Sequence, residues 1–177
     1  MIIETIIAFL GLIVGLILAR FTKEELKPGR KYFIWFKKII LLVLVVSLVY
    51  IAWSNMFFIK EAIGAIIGFL VGLIVAYFFK KEYFYFGLAL YILAYTQSFI
   101  FITILIFLFG LPYGTLLFSK KFKYKTALFD LIMFIIPLLI FPLILFFTGN
   151  PILLYDHITL AFTAGAFFTL IFKVNKT

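Results

Sequence analysis

Cysteine is absent from this 177-residue chain, and histidine occurs once, at His157. The absence of cysteine excludes disulfide bonds, thiolate metal sites and cysteine nucleophiles together. A single histidine excludes a multi-histidine metal site and the HExxH motif of zinc proteases within this chain. Phosphate-binding glycine loops and dinucleotide-binding fingerprints are missing as well. The sequence therefore predicts neither an enzyme activity nor a cofactor.

Charge is also scarce. Charged residues make up 13% of the chain and hydrophobic residues 67%, with a mean hydropathy of +1.28. A soluble domain has roughly a quarter charged residues and is about half apolar. The length is that of one ordinary domain. We therefore expect residues 1–177 to form a single membrane domain located in the cell membrane.

Long apolar runs predict an all-α fold, a polytopic transmembrane helix bundle. A spanning helix needs about 20 apolar residues. One stretch, residues 83–118, contains no charge and is too long for one straight crossing. A turn at the polar residues 96–98 would divide it into two helices and give seven spans, whereas one helix there would give six. The other five predicted spans are residues 2–19, 39–57, 62–79, 127–147 and 152–172.

The basic residues favour seven spans. Fifteen of the sixteen Lys and Arg residues fall in four clusters between the apolar runs, at residues 20–38, 80–81, 120–125 and 173–176. Seven spans put all four clusters on the cytoplasmic side, with the N-terminus outside and the C-terminus inside. Six spans would move the third cluster outside. Clusters in these positions predict contact with membrane lipids, including anionic head groups, and not with nucleic acid.

The connection after the first run has the pattern of a capping box, Thr22-Lys-Glu-Glu25. This pattern predicts a short cytoplasmic helix, which Pro28-Gly29 would end. The aromatic segment that follows, residues 32–36 with Trp35, is expected to lie along the inner membrane interface.

Two segments of the chain resemble each other. Residues 4–25 and 61–82 are identical at twelve of twenty-two positions when aligned without gaps. The matched positions include glycines and charged residues, which chance similarity between apolar segments would not align. The sequence therefore predicts tandem helix-pair repeats: residues 4–57 repeated at 61–99, a weaker third copy at 103–150, and a final helix at 152–172.

Small residues recur four positions apart in four of the predicted helices. Residues at this spacing share one helix face and allow another backbone to approach closely. Packing within the bundle is the expected role, and contact with a second copy or another membrane protein is the alternative. The pairs are Gly11/Gly15, Gly68/Gly72, Gly110/Gly114 and Ala161/Gly165.

Polar residues gather at the predicted outer ends of the helices. Carboxylate and amide oxygens there could form a vestibule for a cation or a small polar solute. The favoured interpretation is that they cap helix ends where the helices meet water. The set is Glu4, Glu61, Asn55, Gln97, Asn150, Asp156 and His157.

One ionisable residue is expected inside the membrane. Asp130 lies five residues beyond Lys125, within the sixth predicted helix. Intramembrane ionisable residues often mark functional sites, although a snorkelling lysine could also pair with this one. The Gly110–Gly114 segment, which contains a proline, is expected to interrupt the fifth helix, as a packing kink or, alternatively, as a break that lines a cavity. The candidate ligand pocket is therefore Asp130, Tyr113, Thr115 and Pro112.

Three functions are compatible with this pattern. A non-catalytic subunit or assembly partner in the cytoplasmic membrane, including a homo-oligomer, needs only the small-residue faces and is preferred. A small solute or ion transporter or channel is the alternative, motivated by the repeat, the prolines and the outer acids. A membrane-embedded lipid-modifying enzyme comes third, because acid and base groups are scarce.

Overall fold

The computed structural model describes residues 2–22, 24, 26–54, 59–94, 98–119, 124–148 and 156–173. Within these ranges the chain forms seven α-helices and no strand, which confirms the predicted all-α class. Five of the helices (α1, α2, α3, α5 and α6) are long and apolar enough to cross a membrane. The helices are α1 (Ile2–Phe21), α2 (Leu26–Ser54), α3 (Ile59–Phe78), α4 (Glu82–Leu93), α5 (Phe99–Ser119), α6 (Tyr124–Thr148) and α7 (Asp156–Lys173).

The uncharged stretch at residues 83–118 is divided into two helices. α4 ends at Leu93 and α5 begins at Phe99, with Ser98 in a turn just before it. Thr96 and Gln97, where the turn was also predicted, lie outside the described residues. The number of spans and their orientation stay predictions, because two helices in this stretch do not by themselves mean two crossings.

The prediction of a short cytoplasmic helix ending at Pro28-Gly29 is wrong. α2 begins at Leu26, thirteen residues before the predicted start of its apolar run, and continues through both residues. Pro28 is the third residue of the helix, where the backbone N–H would have no acceptor within the helix, so the proline ring removes no hydrogen bond. The Thr22 hydroxyl donates to the Leu18 carbonyl oxygen (3.0 Å) at the end of α1.

A break in the fifth helix, the alternative to a kink, is also wrong. α5 runs without a break from Phe99 to Ser119, with Pro112 inside it. A proline in a helix interior removes one backbone hydrogen bond but need not end the helix when neighbouring helices hold it in place.

α1 and α5 are parallel and touch backbone to backbone. A Cβ atom added to Gly11 would meet the carbonyl oxygen of Phe107, and one added to Gly15 would meet that of Leu111. From the other side, a Cβ on Gly110 would meet the backbone of Gly11, and one on Gly114 the carbonyl oxygen of Leu12. Both small-residue pairs therefore lie in one contact, where only glycine fits.

α3 and α7 pack in the same way. Gly68 and Gly72 face the carbonyl oxygens of Ile158 and Phe162, and Gly165 faces the carbonyl oxygen of Phe69. All eight small residues of the four predicted pairs, including Ala161, are buried. The two segments that resemble each other thus use their aligned glycines against different parallel partners. The repeat itself stays a prediction.

α4 lies inside the bundle. Ten of its twelve residues are buried, and it packs against α5, α6 and α7. A Cβ on Gly87 would meet the Phe134 carbonyl oxygen of α6. Twelve residues extend about 18 Å, much less than a hydrocarbon layer of about 30 Å.

The outward-facing side chains of the surrounding helices are mostly large and apolar. This pattern is the opposite of that on a soluble helix bundle, where the outer face is polar. On α1 and α3, for example, the exposed residues include Ile6, Ile13, Ile17, Ile63, Ile66, Leu70 and Ile74.

Replacing a glycine at a helix contact is expected to destabilise the bundle. Gly72→Ala would place a methyl group against the Phe162 carbonyl oxygen, and the free energy of unfolding should fall by about 1–3 kcal/mol. Gly29→Ala is the matched control, because the three atoms nearest to its Cβ all belong to the Phe33 side chain and not to a backbone. The control should leave stability unchanged or raise it slightly. Unfolding by SDS in mixed micelles measures both, and equal effects would contradict the packing described.

Candidate polar site at the start of α4

A buried ion pair joins α2 to α4. Lys37 of α2 is 6% exposed. Its Nζ atom donates a hydrogen bond of 2.7 Å to Oε1 of Glu82, the first residue of α4. The ammonium group also lies 4.7 Å from the ring centroid of Tyr113 and 5.2 Å from that of Phe109, both on α5. One carboxylate and two aromatic rings therefore surround the cation, and each attracts it.

A second polar contact joins α5 to α6. The Tyr113 hydroxyl donates a hydrogen bond of 2.8 Å to Oδ2 of Asp130. Asp130 is 4% exposed, so its carboxyl group lies inside the bundle and does not face lipid head groups. A hydrogen bond to a carboxylate is stronger than one between neutral groups. Tyr113 therefore contacts both charged residues, Lys37 through its ring and Asp130 through its hydroxyl.

Tyr83 of α4 completes the site. Its side chain is 1% exposed, and its ring packs against that of Tyr113, with centroids 5.4 Å apart. Among the described residues, its hydroxyl and the Oε2 atom of Glu82 are buried without a hydrogen-bond partner. Each such atom costs about 1–3 kcal/mol and calls for an explanation. We call Lys37, Glu82, Tyr83, Tyr113 and Asp130 the polar cluster.

The polar cluster carries an uneven set of charges. It contains two carboxylates and one ammonium group, so its formal charge is −1 when all three are ionised. Lys81, the residue before α4, lies at its edge with Nζ 4.3 Å from the Phe129 ring centroid. Lys81, Lys37 and Glu82 all lie close enough for their charges to act on Asp130. Groups of three or more potential metal ligands are absent from the described ranges.

The structure unites two of the four residues of the predicted ligand pocket. Tyr113 and Asp130 are hydrogen-bonded, whereas the Thr115 hydroxyl donates to the Pro112 carbonyl oxygen (2.8 Å) within α5. Thr115 lies two residues after Tyr113, which is about 200° around the helix, so it faces away from the polar cluster. Of the predicted pocket, Tyr113 and Asp130 therefore belong to the polar cluster, whereas Thr115 and Pro112 do not.

The predicted outer polar set is only partly described. Glu4 and Glu61 lie in the first turns of α1 and α3, and these helices pack on different partners, α5 and α7. His157 is buried near the start of α7. A vestibule built from this set stays a prediction. Asn55, Gln97 and Asn150 lie outside the described residues, as does the side chain of Asp156.

Sequence reasoning missed Lys37, Glu82 and Tyr83. Lys37 was counted as one of the basic residues that set the topology, and Glu82 only as a matched position of the repeat. A usable signal was present, because each of these two residues lies within two positions of a long apolar run, at the same predicted membrane face. Opposite charges placed in this way tend to pair, since a lone buried charge is costly.

No family model, curated protein or solved structure matches this chain. Function is therefore inferred from the polar cluster and the packing around it. Chemically, the cluster can hold a proton or a small cation. It can also pass a proton between the Asp130 carboxyl group and the Tyr113 phenol, because their oxygen atoms lie 2.8 Å apart.

The ion pair is expected to matter most when one partner is removed. Lys37→Met would leave the Glu82 carboxylate buried and unpaired, which should lower the free energy of unfolding by about 3–5 kcal/mol. The double variant Lys37→Met/Glu82→Gln should regain most of this loss, because the Glu82 charge is removed together with its partner. Lys31→Met, at an exposed position of the same helix, is the control. Unfolding in mixed micelles measures the series, and a double variant as unstable as Lys37→Met would contradict the pairing.

Proposed function

We propose that this chain is a multi-pass protein of the cell membrane that moves a small solute or ion across it, with the polar cluster as its binding site. In this proposal seven helices cross the bilayer, with the N-terminus outside and the C-terminus inside. One observation carries it. Four helices contribute charged and polar side chains to a buried cluster, two of whose atoms lack a hydrogen-bond partner among the described residues. Ionisable groups inside a membrane bundle commonly mark substrate or ion pathways.

The enclosure of α4 supports a seventh crossing despite its length. A crossing helix in contact with lipid needs about 20 apolar residues, because it must span a hydrocarbon layer of about 30 Å at 1.5 Å per residue. It must also stay helical throughout, because every backbone group exposed to lipid must be hydrogen-bonded within the helix. A segment enclosed by other helices is free of that requirement and can continue in a non-helical form at membrane depth. α4 meets this condition, since α5, α6 and α7 cover it.

The position of the polar cluster also supports a binding role. Its members lie near the helix ends that carry the basic clusters, which is the cytoplasmic side in the proposed orientation. The N-terminal end of α4, with its partial positive charge, begins at Glu82. Short helices whose ends reach a buried polar site form substrate and ion sites in many transporters.

The cytoplasmic part of α2 supports the predicted contact with lipid head groups. Trp35 is 61% exposed, and Tyr32 and Phe36 are exposed beside it. Arg30 and Lys31 are exposed one turn earlier. Aromatic rings favour the membrane interface, and basic side chains are attracted to anionic head groups there.

A subunit or assembly role is the second candidate. The broad aliphatic faces of α1 and α3 favour it, because such faces suit a partner helix as well as lipid. The small-residue faces, which favoured this role in the sequence, are buried in helix contacts within the chain and so offer no surface to a partner. Native mass spectrometry from lipid nanodiscs tests this candidate. A single-chain species with no retained partner would count against it, and a defined oligomer would favour it.

The lack of cysteine allows one labelling experiment to test both topology and water access. Single-cysteine variants Ser98→Cys, Lys37→Cys and Leu90→Cys would be treated with a membrane-impermeant thiol reagent, 2-(trimethylammonium)ethyl methanethiosulfonate, on right-side-out or inside-out vesicles. We expect Ser98→Cys to react from outside and Lys37→Cys from inside. Leu90→Cys, within the buried part of α4, should react from neither side. In detergent, where permeation does not matter, labelling residue 37 with 2-aminoethyl methanethiosulfonate would restore an ammonium group and should also recover stability.

Two results would contradict the proposal. A Lys37→Cys variant that is stable enough to purify but reacts from neither side would mean that the polar cluster is closed to water, which is incompatible with transport. A Ser98→Cys variant that reacts from inside, or from neither side, would contradict the seven-span topology.

A further inference from the structure

Asp130 is the one charged member of the polar cluster without a bonded counter-ion among the described residues; Lys81, at the edge of the cluster, acts on it only through its charge. Lys37 and Glu82 form a neutral pair through a hydrogen bond of 2.7 Å. Among the described residues, no lysine is hydrogen-bonded to Asp130. The carboxylate accepts its hydrogen bond from the Tyr113 hydroxyl. A carboxylate in this setting has lost most of its hydration, and transfer of an unpaired charge into a medium of low polarity is very unfavourable. Neutralising Asp130 removes that penalty.

We propose that the polar cluster binds one exchangeable proton, carried by the Asp130 carboxyl group, as the ion of the proposed transport. This proposal rests on the proposed function and names its ion. The proton comes from water and adds to the free oxygen, Oδ1, while Oδ2 continues to accept the Tyr113 hydrogen bond. On release the same O–H bond breaks and the proton returns to water. No other bond forms or breaks.

A proton fits this site better than a metal cation. A proton needs no cavity, whereas a sodium or calcium ion needs several oxygen ligands arranged around a space of its own size. The polar cluster offers two carboxylates, one of them already bonded to Lys37. Most backbone carbonyl groups nearby are engaged in helices.

The groups that face Asp130 come from each helix packed around it. These are Lys37 of α2, Lys81 and Glu82 at the start of α4, Tyr83 of α4, and Tyr113 of α5. The Tyr83 hydroxyl, buried and without a hydrogen-bond partner in the described chain, lies within range of the charges of Asp130 and Glu82. The one described titratable side chain of α7, His157, lies near the other end of the bundle, at the start of that helix.

The composition offers a clean test, because the chain contains only two aspartates, Asp130 and Asp156. Full-length protein labelled with ¹³C at the aspartate side-chain carboxyl group, in lipid nanodiscs, should give two carboxyl resonances by NMR. At neutral pH we expect one resonance at the shift of a neutral carboxylic acid and one at the shift of a carboxylate. Asp130→Asn should abolish the neutral resonance, and the matched control Asp156→Asn should keep it. Raising the pH should convert it reversibly to the carboxylate shift.

Three results would overturn the proposal. Both aspartates could be ionised at neutral pH, or the neutral resonance could belong to Asp156. The third is a sodium effect. Replacing choline chloride with sodium chloride at equal ionic strength should leave the Asp130 resonance unchanged, and a shift would assign the site to a metal cation.

The proton proposal and the transport proposal fail in different ways. A neutral Asp130 in a bundle whose Lys37→Cys variant reacts from neither side would refute transport and leave proton binding intact. A Lys37→Cys variant that reacts from inside, in a chain with two ionised aspartates, would refute the proton and leave transport standing.

Discussion

α4 has little surface left for lipid, because α5, α6 and α7 cover it along its length. Enclosing one helix in this way requires its neighbours to pack closely. The glycines of α1, α3, α5 and α7 allow such packing, because they bring pairs of parallel backbones into direct contact. The glycine contacts hold the outer helices together, and the buried helix presents its first turn to the interior of the bundle.

That interior explains why charged residues occur where the chain is otherwise so apolar. A carboxylate at the start of a buried helix needs a cation, and Lys37 supplies it from α2. The same lysine contacts Tyr113, which in turn bonds Asp130. The five residues of the polar cluster therefore form one connected unit across four helices. In such a unit, a change in the charge of one residue alters the strength of the contacts that the others make.

The sequence predicted the elements better than it predicted their surroundings. Apolar runs located each helix, and polar residues 96–98 marked the break between α4 and α5, because these signals are local. The start of α2 was missed because the pair Pro28-Gly29 was interpreted as a stop signal, although a proline in the first turn is compatible with the start of a helix. The continuity of α5 through Pro112 depends on neighbouring helices, which the local sequence does not reveal.

The site was predicted only in part for the same reason. Asp130 and Tyr113 stood out, one as a charge within an apolar run and the other beside a proline. Thr115 was grouped with them by closeness in sequence, but it lies on the far side of the helix. Lys37 and Glu82 are forty-five residues apart, and their pairing depends on how α2 packs against α4. Hydropathy and charge counts therefore assigned Lys37 to the membrane surface and gave Glu82 no role beyond the repeat.

The contact between Lys37 and Glu82 tests the account most directly. Protein labelled with ¹⁵N at lysine Nζ and ¹³C at the glutamate side-chain carboxyl group, in lipid bilayers, would be measured by solid-state NMR dipolar recoupling. The account predicts a short-range ¹⁵N–¹³C contact that disappears in Glu82→Gln and persists in Glu61→Gln. If no contact depends on Glu82, the ion pair is absent in the bilayer, and the polar cluster with its proposed role would be contradicted.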